Sequence, residues 1–281
     1  MSLIIHSFKK NPYLRTNFYM MTLFDKISFI GSGNVAYNYC NVLKNNNITP
    51  SFVLTRDESK ISSIEKSFAI KATADYNDII DSDLIIIAVK DEAIRDVVLN
   101  LTTYKGVLVH TSGTQPSSIL DMTPNYGVIY PLQTMTKSNI ADFTRLPLLI
   151  TASSSEVLKK IHTFAKMMSD NVLECTDEDR RNIHLSAVFV CNFINVMLQI
   201  GEQILEDKGF KLSLLEHLVR ETIDNAFKLG PVKALTGPAR RSDFDTIDKH
   251  LSLLEKDVEE RKIYELLTDY IINKYKNNEE L

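Results

Sequence analysis

The sequence predicts an α/β fold, in which a Rossmann-type parallel sheet domain is followed by an all-helical C-terminal domain. Three observations lead to this prediction. Short β-rich runs alternate with helical stretches from Lys26 onward, a glycine-rich turn follows the first run, and only helical periodicity remains after Asp177. We therefore expect the sheet domain over residues 25–176 and the helical domain over residues 177–281.

The predicted strands of the first domain are short and apolar. They cover residues 27–30, 52–55, 84–89, 106–110, 128–130, 148–150 and 172–174. The run 84–89 is apolar on both faces, which is typical of a central parallel strand covered by helices on both sides. The helices between these strands are predicted over about 35–43, 61–68 and 156–168.

The second domain is predicted to contain a long helix over 177–207, another over 212–229, and two more between 244 and 276. Gly209, Gly230-Pro231 and Gly237-Pro238 mark helix ends. Its helices carry broad apolar faces, for example around Phe189 and Phe193. These faces predict a homodimer formed through the helical domain, although a monomer that packs them onto its own sheet domain stays open.

Composition limits the possible partners and compartments. The chain has 281 residues, 44% of them hydrophobic, and 36 acidic against 32 basic residues, so it can bury a large core. Without a basic stripe we expect no nucleic-acid partner and no membrane partner. The three cysteines lie outside any CxxC pattern, which predicts no metal site and a reducing, cytoplasmic location. No uninterrupted apolar run reaches the roughly 20 residues of a membrane-spanning helix.

The first 24 residues differ from the rest. Lys9, Lys10, Pro12 and Arg15 interrupt the apolar residues, so no signal-peptide core forms. Met20 and Met21 stand just before the first strand, which suggests an alternative start. We expect residues 1–24 to be an extension that is disordered or not translated.

The glycine turn predicts a dinucleotide site. It stands between a strand and a helix, where one glycine permits the tight turn, the next lets a diphosphate approach the backbone, and a small alanine keeps the helix close to the sheet. The anion would face free N–H groups at the positive end of that helix. The predicted diphosphate contacts are Gly31, Ser32, Gly33, Asn34, Val35 and Ala36. An ordinary tight turn is the alternative.

The end of the second strand indicates which dinucleotide binds. A carboxylate there would accept bonds from the ribose of NAD, whereas Thr55-Arg56 offers a hydroxyl and a guanidinium for the extra phosphate of NADP. We therefore predict NADP as the cofactor. Alternatively, Arg56 is a solvent-exposed side chain paired with Asp57 or Glu58.

Further cofactor contacts are expected at the carboxyl ends of the central strands. These positions hold small side chains, hydroxyls and free amides that suit a flat nicotinamide ring. The predicted contacts are Ala88, Val89, Lys90, Thr111 and Gly113, and the hydroxyl of Ser112 is a catalytic candidate. The alternative is that residues 111–113 only form a turn.

The catalytic candidates on the long helix are His184 and Asn192. Histidine suits proton transfer near neutral pH, and His184 lies early in the helix that follows the last strand. At about 100° per residue, Cys191 and Asn195 fall on the face of His184, and Asn192 lies about 80° away. A core histidine bonded to a backbone carbonyl is the alternative.

A second polar segment predicts an anionic small-molecule substrate. Ser242 and Asp245 resemble a capping box, which would place two arginines beside a helix N-terminus. The predicted substrate contacts are Arg240, Arg241, Asp243 and, after the predicted strand 128–130, Gln133. A helix–helix loop whose arginines pair with surface acids is the alternative.

Several of these motifs together resemble a known group. They are the turn 31–36, the loop 110–113, the Tyr-Pro-Leu-Gln-Thr string 130–134, the helix 184–198 and the Thr-Gly-Pro string 236–238 followed by Arg241 and Asp243. The chain resembles uncharacterised Rossmann-like proteins described as similar to deazaflavin-dependent NADP oxidoreductases. The group tends to carry histidine before Pro-Leu-Gln-Thr, where this chain has Tyr130, which keeps a hydroxyl donor.

Wider relatives implied by this resemblance are pyrroline-5-carboxylate reductase and the 6-phosphogluconate and hydroxyacid dehydrogenases, which share an NADP domain and a dimerising helical domain. In the hydroxyacid dehydrogenases a catalytic lysine precedes an asparagine by four positions. If Asn192 is that asparagine, Val188 stands at the lysine position. The resemblance therefore favours reduction of an imine or carbonyl over oxidation of a 3-hydroxy acid.

The resulting hypothesis is an NADP(H)-dependent oxidoreductase that reduces a small anionic imine or carbonyl compound. The alternative is a non-catalytic protein that binds NADP(H) as a sensor or regulator. A metal enzyme is disfavoured because His184 and Cys191 have no third ligand nearby in the sequence. A phosphate-transfer enzyme is disfavoured because the glycine turn lacks the lysine and hydroxyl residue of a P-loop.

Overall fold

The computed structural model describes residues 23–276 and confirms the predicted α/β fold class. The strands are β1 Ile27–Ile30, β2 Phe52–Leu54, β3 Lys71–Thr73, β4 Leu84–Ile87, β5 Val107–His110, β6 Tyr126–Pro131, β7 Leu148–Ala152 and β8 Val172–Glu174. The helices are α1 Asn34–Asn45, α2 Ile61–Phe68, α3 Ile94–Leu99, α4 Ser155–Lys166, α5 Asp177–Ala187, α6 Phe193–Glu206, α7 Glu216–Leu229, α8 Pro231–Ala234, α9 Phe244–Leu253 and α10 Val258–Lys276.

The eight strands form one sheet in the order β3-β2-β1-β4-β5-β6-β7-β8. All neighbours are parallel except β6 and β7, which are antiparallel. The chain leaves β1 toward β2 on one side and returns to β4 on the other. This reversal opens a crevice at the carboxyl ends of β1 and β4, where doubly wound sheets bind their ligands.

The centre of the sheet is covered on both faces, as predicted for residues 84–87. Ile86 packs with Phe29 and Val109 in one apolar layer, and Ile85 packs with Leu108 in the other. All four residues of β4 are buried. The predicted strand over 84–89 ends at Ile87, however, because Ala88 and Val89 already form the loop at the crevice.

Three short elements were not predicted, namely β3, α3 and the four-residue helix α8. β3 is a three-residue edge strand with a lysine and a threonine, and α3 has six residues, so neither gives a clear periodicity. At the amino end, Leu23 and Phe24 belong to the sheet unit: the Phe24 ring lies edge-on to Phe164 with 5.8 Å between centroids. Residues 23 and 24 are therefore part of the sheet unit and not of the predicted extension. Residues 1–22, to which the rest of that prediction applies, lie outside the described residues.

The chain divides into two compact units, one up to Val188 and one from Phe189 onward. The sequence had placed this boundary after residue 176. The difference arises because the first turns of α5 belong to the sheet unit: the Arg180 side chain is fully buried and donates to Thr151 of β7. Burial of this one side chain ties the start of the helix to the sheet.

Asp177–Glu206 is a continuous 30-residue helix, as predicted, but a π-helical turn over Val188–Asn192 separates α5 from α6. By length and composition, this helix is long and apolar enough to cross a membrane. No such segment was expected from the sequence, because polar residues interrupt the apolar run. A single such helix is weak support for a membrane protein, because core helices of soluble proteins pass the same test.

The helical unit exposes many large apolar side chains when the chain is considered alone. Phe227 of α7 is 88% exposed. Other exposed members are Phe189, Phe193, Leu214, Leu218, Leu253 and Leu266. Such a dense set of exposed apolar groups is unusual for an isolated surface.

Candidate functional site

The turn after β1 has the geometry that a bound diphosphate requires. Gly31 has φ of +105°, and a Cβ there would lie 2.4 Å from the Ala88 carbonyl oxygen, so only glycine fits. A Cβ at Gly33 would meet no atom of residues 23–276 within 4 Å, so the space above it is open. Ala36 is fully buried under the sheet.

Helix α1 begins directly at this turn. Within the described chain, its N-cap residue Gly33 makes no side-chain capping bond, and its first turn contains no acidic residue. Its first N–H groups are therefore available to an anion, and no carboxylate opposes one. The predicted diphosphate contacts Ser32, Asn34 and Val35 lie at this end, half-buried or exposed. The residues present fit a dinucleotide diphosphate.

Arg56 lies exposed just beyond β2. Its predicted alternative partner, Asp57, instead pairs with Lys60 at 2.9 Å and accepts a bond from the Ser59 N–H. Thr55 is buried, and its hydroxyl oxygen accepts a bond from the Asp57 N–H. Burial raises the pKa of Tyr76, and the nearby Arg56 charge opposes that rise. Arg56 thus lies exposed after the carboxyl end of β2 and near Tyr76, and its assignment to the NADP phosphate stays a prediction.

The loop after β5 is closely hydrogen-bonded. His110 is fully buried, and its Nδ1 accepts a bond from the Ser112 N–H at 3.1 Å. The Ser112 hydroxyl donates to Asp91 at 2.8 Å and accepts from the N–H groups of Thr114 and Gln115. The predicted catalytic role of Ser112 is therefore not supported by the geometry, because this hydroxyl already organises the loop.

His184 and Tyr130 form a pair against this loop. The Tyr130 hydroxyl lies 2.9 Å from His184 Nδ1, and the two rings meet edge-on with 5.7 Å between centroids. A Cβ on Gly113 would lie 2.6 Å from His184 Nδ1 and 3.0 Å from Tyr130 Cζ. Gly113 is therefore required for the close approach of both rings to the loop backbone, a role that differs from the predicted cofactor contact.

The pair lies at the same edge of the sheet as the glycine turn. β5 and β6 are parallel to β1 and β4. Tyr130 lies near the carboxyl end of β6, and residues 111–113 follow the carboxyl end of β5, as Gly31 and Ala88 follow those of β1 and β4. Lys90 is exposed, and Val89 and Thr111 are partly or fully buried at this edge. The structure thus brings most of the predicted cofactor residues to one edge.

Asn192 was predicted on the basis of regular α-helical angles. It belongs to the π-helical turn, in which each turn holds an extra residue, so positions counted at 100° per residue do not hold beyond Val188. The predicted shared face of His184, Cys191 and Asn195 is therefore not a valid inference. Asn192 and Cys191 are exposed residues of the helical unit.

One part of the predicted anion site is wrong, namely the residue that caps the helix after the arginines. The helix α9 is capped by Asp243, whose carboxylate accepts a bond from the Thr246 N–H, whereas Ser242 has a left-handed backbone with φ of +54°. Ser242 and Asp245 thus form no capping box. Arg241 lies 3.8 Å from Asp243, and Arg240 stacks on the Tyr275 ring at 4.4 Å. The arginine–acid alternative is therefore realised for Arg241.

Sequence reasoning did not assign Tyr130, Asp91, Asp177 or Arg180 to the site. Tyr130 stands in the string before Pro-Leu-Gln-Thr, which was a usable signal. Arg180 precedes His184 by about one helical turn. From the sequence alone a charged residue at this position is expected to be exposed, but its side chain is buried. Gln133, predicted as a substrate contact, is exposed just beyond β6.

Two family models match the chain. Residues 26–110 match the NADP oxidoreductase, coenzyme F420-dependent family, and residues 146–271 match a domain of unknown function, DUF2520. No curated protein matches the sequence significantly.

Solved structures provide further comparisons. A Bacteroides fragilis protein assigned as an NADP oxidoreductase has 31% identity and a TM-score of 0.81, over 88% of this chain and 98% of its own. An imine reductase from Myxococcus stipitatus in complex with NADP⁺ has 15% identity and a TM-score of 0.61, over 90% and 93%. A pyrroline-5-carboxylate reductase from Coxiella burnetii has 18% identity and a TM-score of 0.53, over 90% and 97%.

The two reductases share the fold with this chain at low identity. The Bacteroides protein shares both fold and sequence over nearly the whole length. The chain belongs to the Rossmann-type NADP oxidoreductase family that includes this Bacteroides fragilis protein.

Proposed function

We propose that this protein is an NADP(H)-dependent reductase of a small anionic imine or carbonyl compound. The observation that carries the proposal is the Tyr130–His184 pair, held against Gly113 at the sheet edge that also bears the glycine turn. The pair supplies a hydroxyl and an imidazole, which are groups suited to donating the proton that the oxygen or nitrogen needs when a carbonyl or imine is reduced.

The cofactor part of the proposal rests on the fit of the turn. The uncapped start of α1 would hold the diphosphate, and Arg56 would hold the additional phosphate of NADP. Bound NADPH would supply the hydride. The family assignment and the NADP⁺ named with the Myxococcus imine reductase support this choice.

The proton would come from the protein. In our proposal the Tyr130 hydroxyl gives its proton to the substrate nitrogen or oxygen, and a proton from solvent then returns to the tyrosine oxygen through the His184 imidazole, across the 2.9 Å bond to Nδ1. Together with a hydride on carbon, this proton completes reduction of the C=N or C=O bond. In the helical unit, Arg241 stays our candidate for attracting an anion despite its pairing with Asp243, because that ion pair is long and 63% of the arginine side chain is accessible.

Calorimetry and rapid kinetics test this function. Titration of the purified protein with NADPH and NADH should give tighter binding of NADPH. Stopped-flow absorbance should then show NADPH consumption with cyclic imines or with 2-keto acids. Oxidised coenzyme F420 belongs in the same panel because of the family description, and consumption with it alone would contradict the proposed substrate class. Failure of both nucleotides to bind would remove the proposal.

A matched pair of variants separates an enzyme from a sensor. Tyr130→Phe removes the hydroxyl beside His184, whereas Tyr126→Phe changes the other end of the same strand. A reductase should lose turnover only in Tyr130→Phe. Tight NADPH binding in the wild type without turnover on any member of the panel would favour the non-catalytic sensor.

We further propose that the protein is a cytoplasmic homodimer formed through the helical unit. A second copy would cover the exposed apolar side chains of α6 and α7, including Phe193 and Phe227. Light scattering after size exclusion should give about twice 32.0 kDa, and a monomer at micromolar concentration would contradict it. Partition into detergent after cell fractionation would instead indicate a membrane location for Asp177–Glu206.

A further inference from the structure

A buried ion pair ties α5 to the loop that carries Gly113. The Arg180 side chain is fully buried, and its Nη2 donates to Asp177 Oδ1 at 2.8 Å and also to the Gln115 carbonyl oxygen. Arg180 Nη1 donates to the Thr151 hydroxyl at 3.0 Å. One guanidinium therefore joins the helix, the loop and strand β7.

Asp177 completes the connection from its other oxygen. Asp177 Oδ2 accepts bonds from both the N–H and the hydroxyl of Ser117, at 2.9 and 3.0 Å. Burial opposes ionisation of this carboxyl, but the Ser117 and Arg180 bonds outweigh it and lower the pKa of Asp177. The loop is held on its opposite side by the bond between Ser112 and Asp91. Its backbone is thus fixed at both ends around Gly113.

The arrangement bears directly on His184, which follows Arg180 by about one helical turn. A Cβ at Gly113 would lie only 2.6 Å from His184 Nδ1. The gap between imidazole and loop is therefore smaller than a methyl group, so a small shift of α5 changes the bond to Tyr130.

Burying Arg180 is a poor way to gain stability. Its Nε has no hydrogen-bond partner within residues 23–276, and a buried ion pair often stabilises less than an apolar pair of similar volume. A directed, three-way guanidinium does, however, fix geometry well. The arrangement is thus better suited to fixing the relative position of helix and loop than to raising stability.

We propose that Asp177 and Arg180 are positioning residues, which lock α5 to the loop 110–117 and thereby set the His184 imidazole against Gly113 and Tyr130. The importance of this lock for turnover rests on the proposed function. Its effect on the His184 geometry does not depend on any substrate.

The test measures the His184 side chain directly. Protein labelled with ¹⁵N-histidine is prepared as wild type, Asp177→Asn and Arg180→Lys, with His184→Ala to assign the signal. Tyr130→Phe serves as the reference, because it shows where the His184 Nδ1 resonance lies when the hydrogen bond to the tyrosine hydroxyl is absent. Two controls are Glu178→Gln, an exposed neighbour in the same helical turn, and Tyr104→Phe, which loses a buried bond to the Ser82 carbonyl.

In both lock variants, the His184 Nδ1 resonance should move toward its position in Tyr130→Phe. Tyr104→Phe should lower the melting temperature without moving the His184 Nδ1 resonance. Glu178→Gln should change neither the melting temperature nor the resonance. With a substrate in hand, kcat should fall about 10- to 100-fold while KM for NADPH stays within about threefold.

An unmoved His184 resonance in folded Asp177→Asn would overturn the proposal, even if the melting temperature falls. If Arg180→Lys does not fold, Asp177→Asn decides alone, because it keeps the guanidinium and removes only the charge of its partner. A wild type that binds no NADPH would contradict the proposed function and leave this resonance test intact.

Discussion

The described part of the chain contains two tyrosine–histidine pairs with nearly the same geometry, one in each unit. Tyr130 and His184 have a hydroxyl–Nδ1 distance of 2.9 Å and a centroid separation of 5.7 Å. Tyr264 and His250 have 2.8 Å and 5.7 Å. The distances and ring arrangement alone therefore do not distinguish a candidate catalytic pair from a structural one.

The surroundings of the two pairs differ. Tyr264 and His250 connect α9 to α10, where Arg261 also donates to the Leu251 carbonyl, and burial raises the pKa of Tyr264. Tyr130 and His184 face a glycine whose missing side chain makes room for them, at the carboxyl ends of parallel strands β5 and β6. We infer that the Tyr264–His250 pair stabilises helix packing, whereas the Tyr130–His184 pair is the one suited to the proposed proton transfer.

The sharpest way to break this comparison is to remove each histidine in turn. His184→Ala should lower kcat about 10²- to 10⁴-fold, because proton transfer is lost. His250→Ala should leave kcat within about threefold and cost about 1–2 kcal/mol of stability, the usual range for a lost bond in a packed contact. Steady-state kinetics and thermal unfolding measure both. Equal losses of turnover would refute the distinction.

The next test fills the space beside the first pair. Gly113→Ala should lower kcat about 10-fold or more, because the new Cβ would displace His184 from Tyr130. The matched control is Gly201→Ala in α6, where a Cβ would meet no atom of residues 23–276 within 4 Å. It should stabilise the helix by up to about 1 kcal/mol with unchanged kcat. Unchanged kcat in Gly113→Ala would mean that the His184 position is not critical.

A third change separates cofactor choice from the proton-transfer pair. Arg56→Asp should weaken NADPH binding about 10- to 100-fold and leave NADH binding nearly unchanged, because only NADPH carries the phosphate. Lys60→Asp, a few residues further on, is the control for a general change of charge. Calorimetry with both nucleotides measures the effect. Equal weakening of the two cofactors would contradict the assignment of Arg56.

The smallest expected effect concerns a third histidine. Burial, with help from the Arg180 charge, lowers the pKa of His110 to about 4. Since the folded pKa lies below the unfolded value of 6.5, the unfolded chain binds more protons in between. Stability should therefore be full above pH 6.5 and fall as the pH drops toward 4, by up to about 3 kcal/mol.

Thermal unfolding between pH 5 and 7 measures this dependence in the window above most carboxyl titrations. His110→Asn should show a shallower slope, because it has no imidazole to protonate. A slope identical to that of the wild type would mean that His110 is not the group responsible.

The amino-acid sequence alone determined the class of fold. It also predicted the edge of the sheet at which a cofactor would bind. Glycines, alanine and the alternation of apolar runs are local signals, because backbone conformation and strand burial depend mainly on neighbouring residues. Gly31 illustrates this, since a strand–turn–helix context is enough to identify it. The role of Arg56 is likewise predicted from its distance along the chain, and the titrations with both nucleotides test it.

Only the tertiary structure decided which polar side chains meet. Tyr130 and His184 are 54 residues apart and come together through the placement of β6 and α5. Ser112 looked catalytic until its hydroxyl was found bonded to Asp91, and Arg180 looked like a surface residue until its burial was known. The π-helical turn after Val188 likewise invalidated angles computed along an ideal helix. Long-range contacts and helix irregularities depend on packing of the whole chain, which no local pattern encodes.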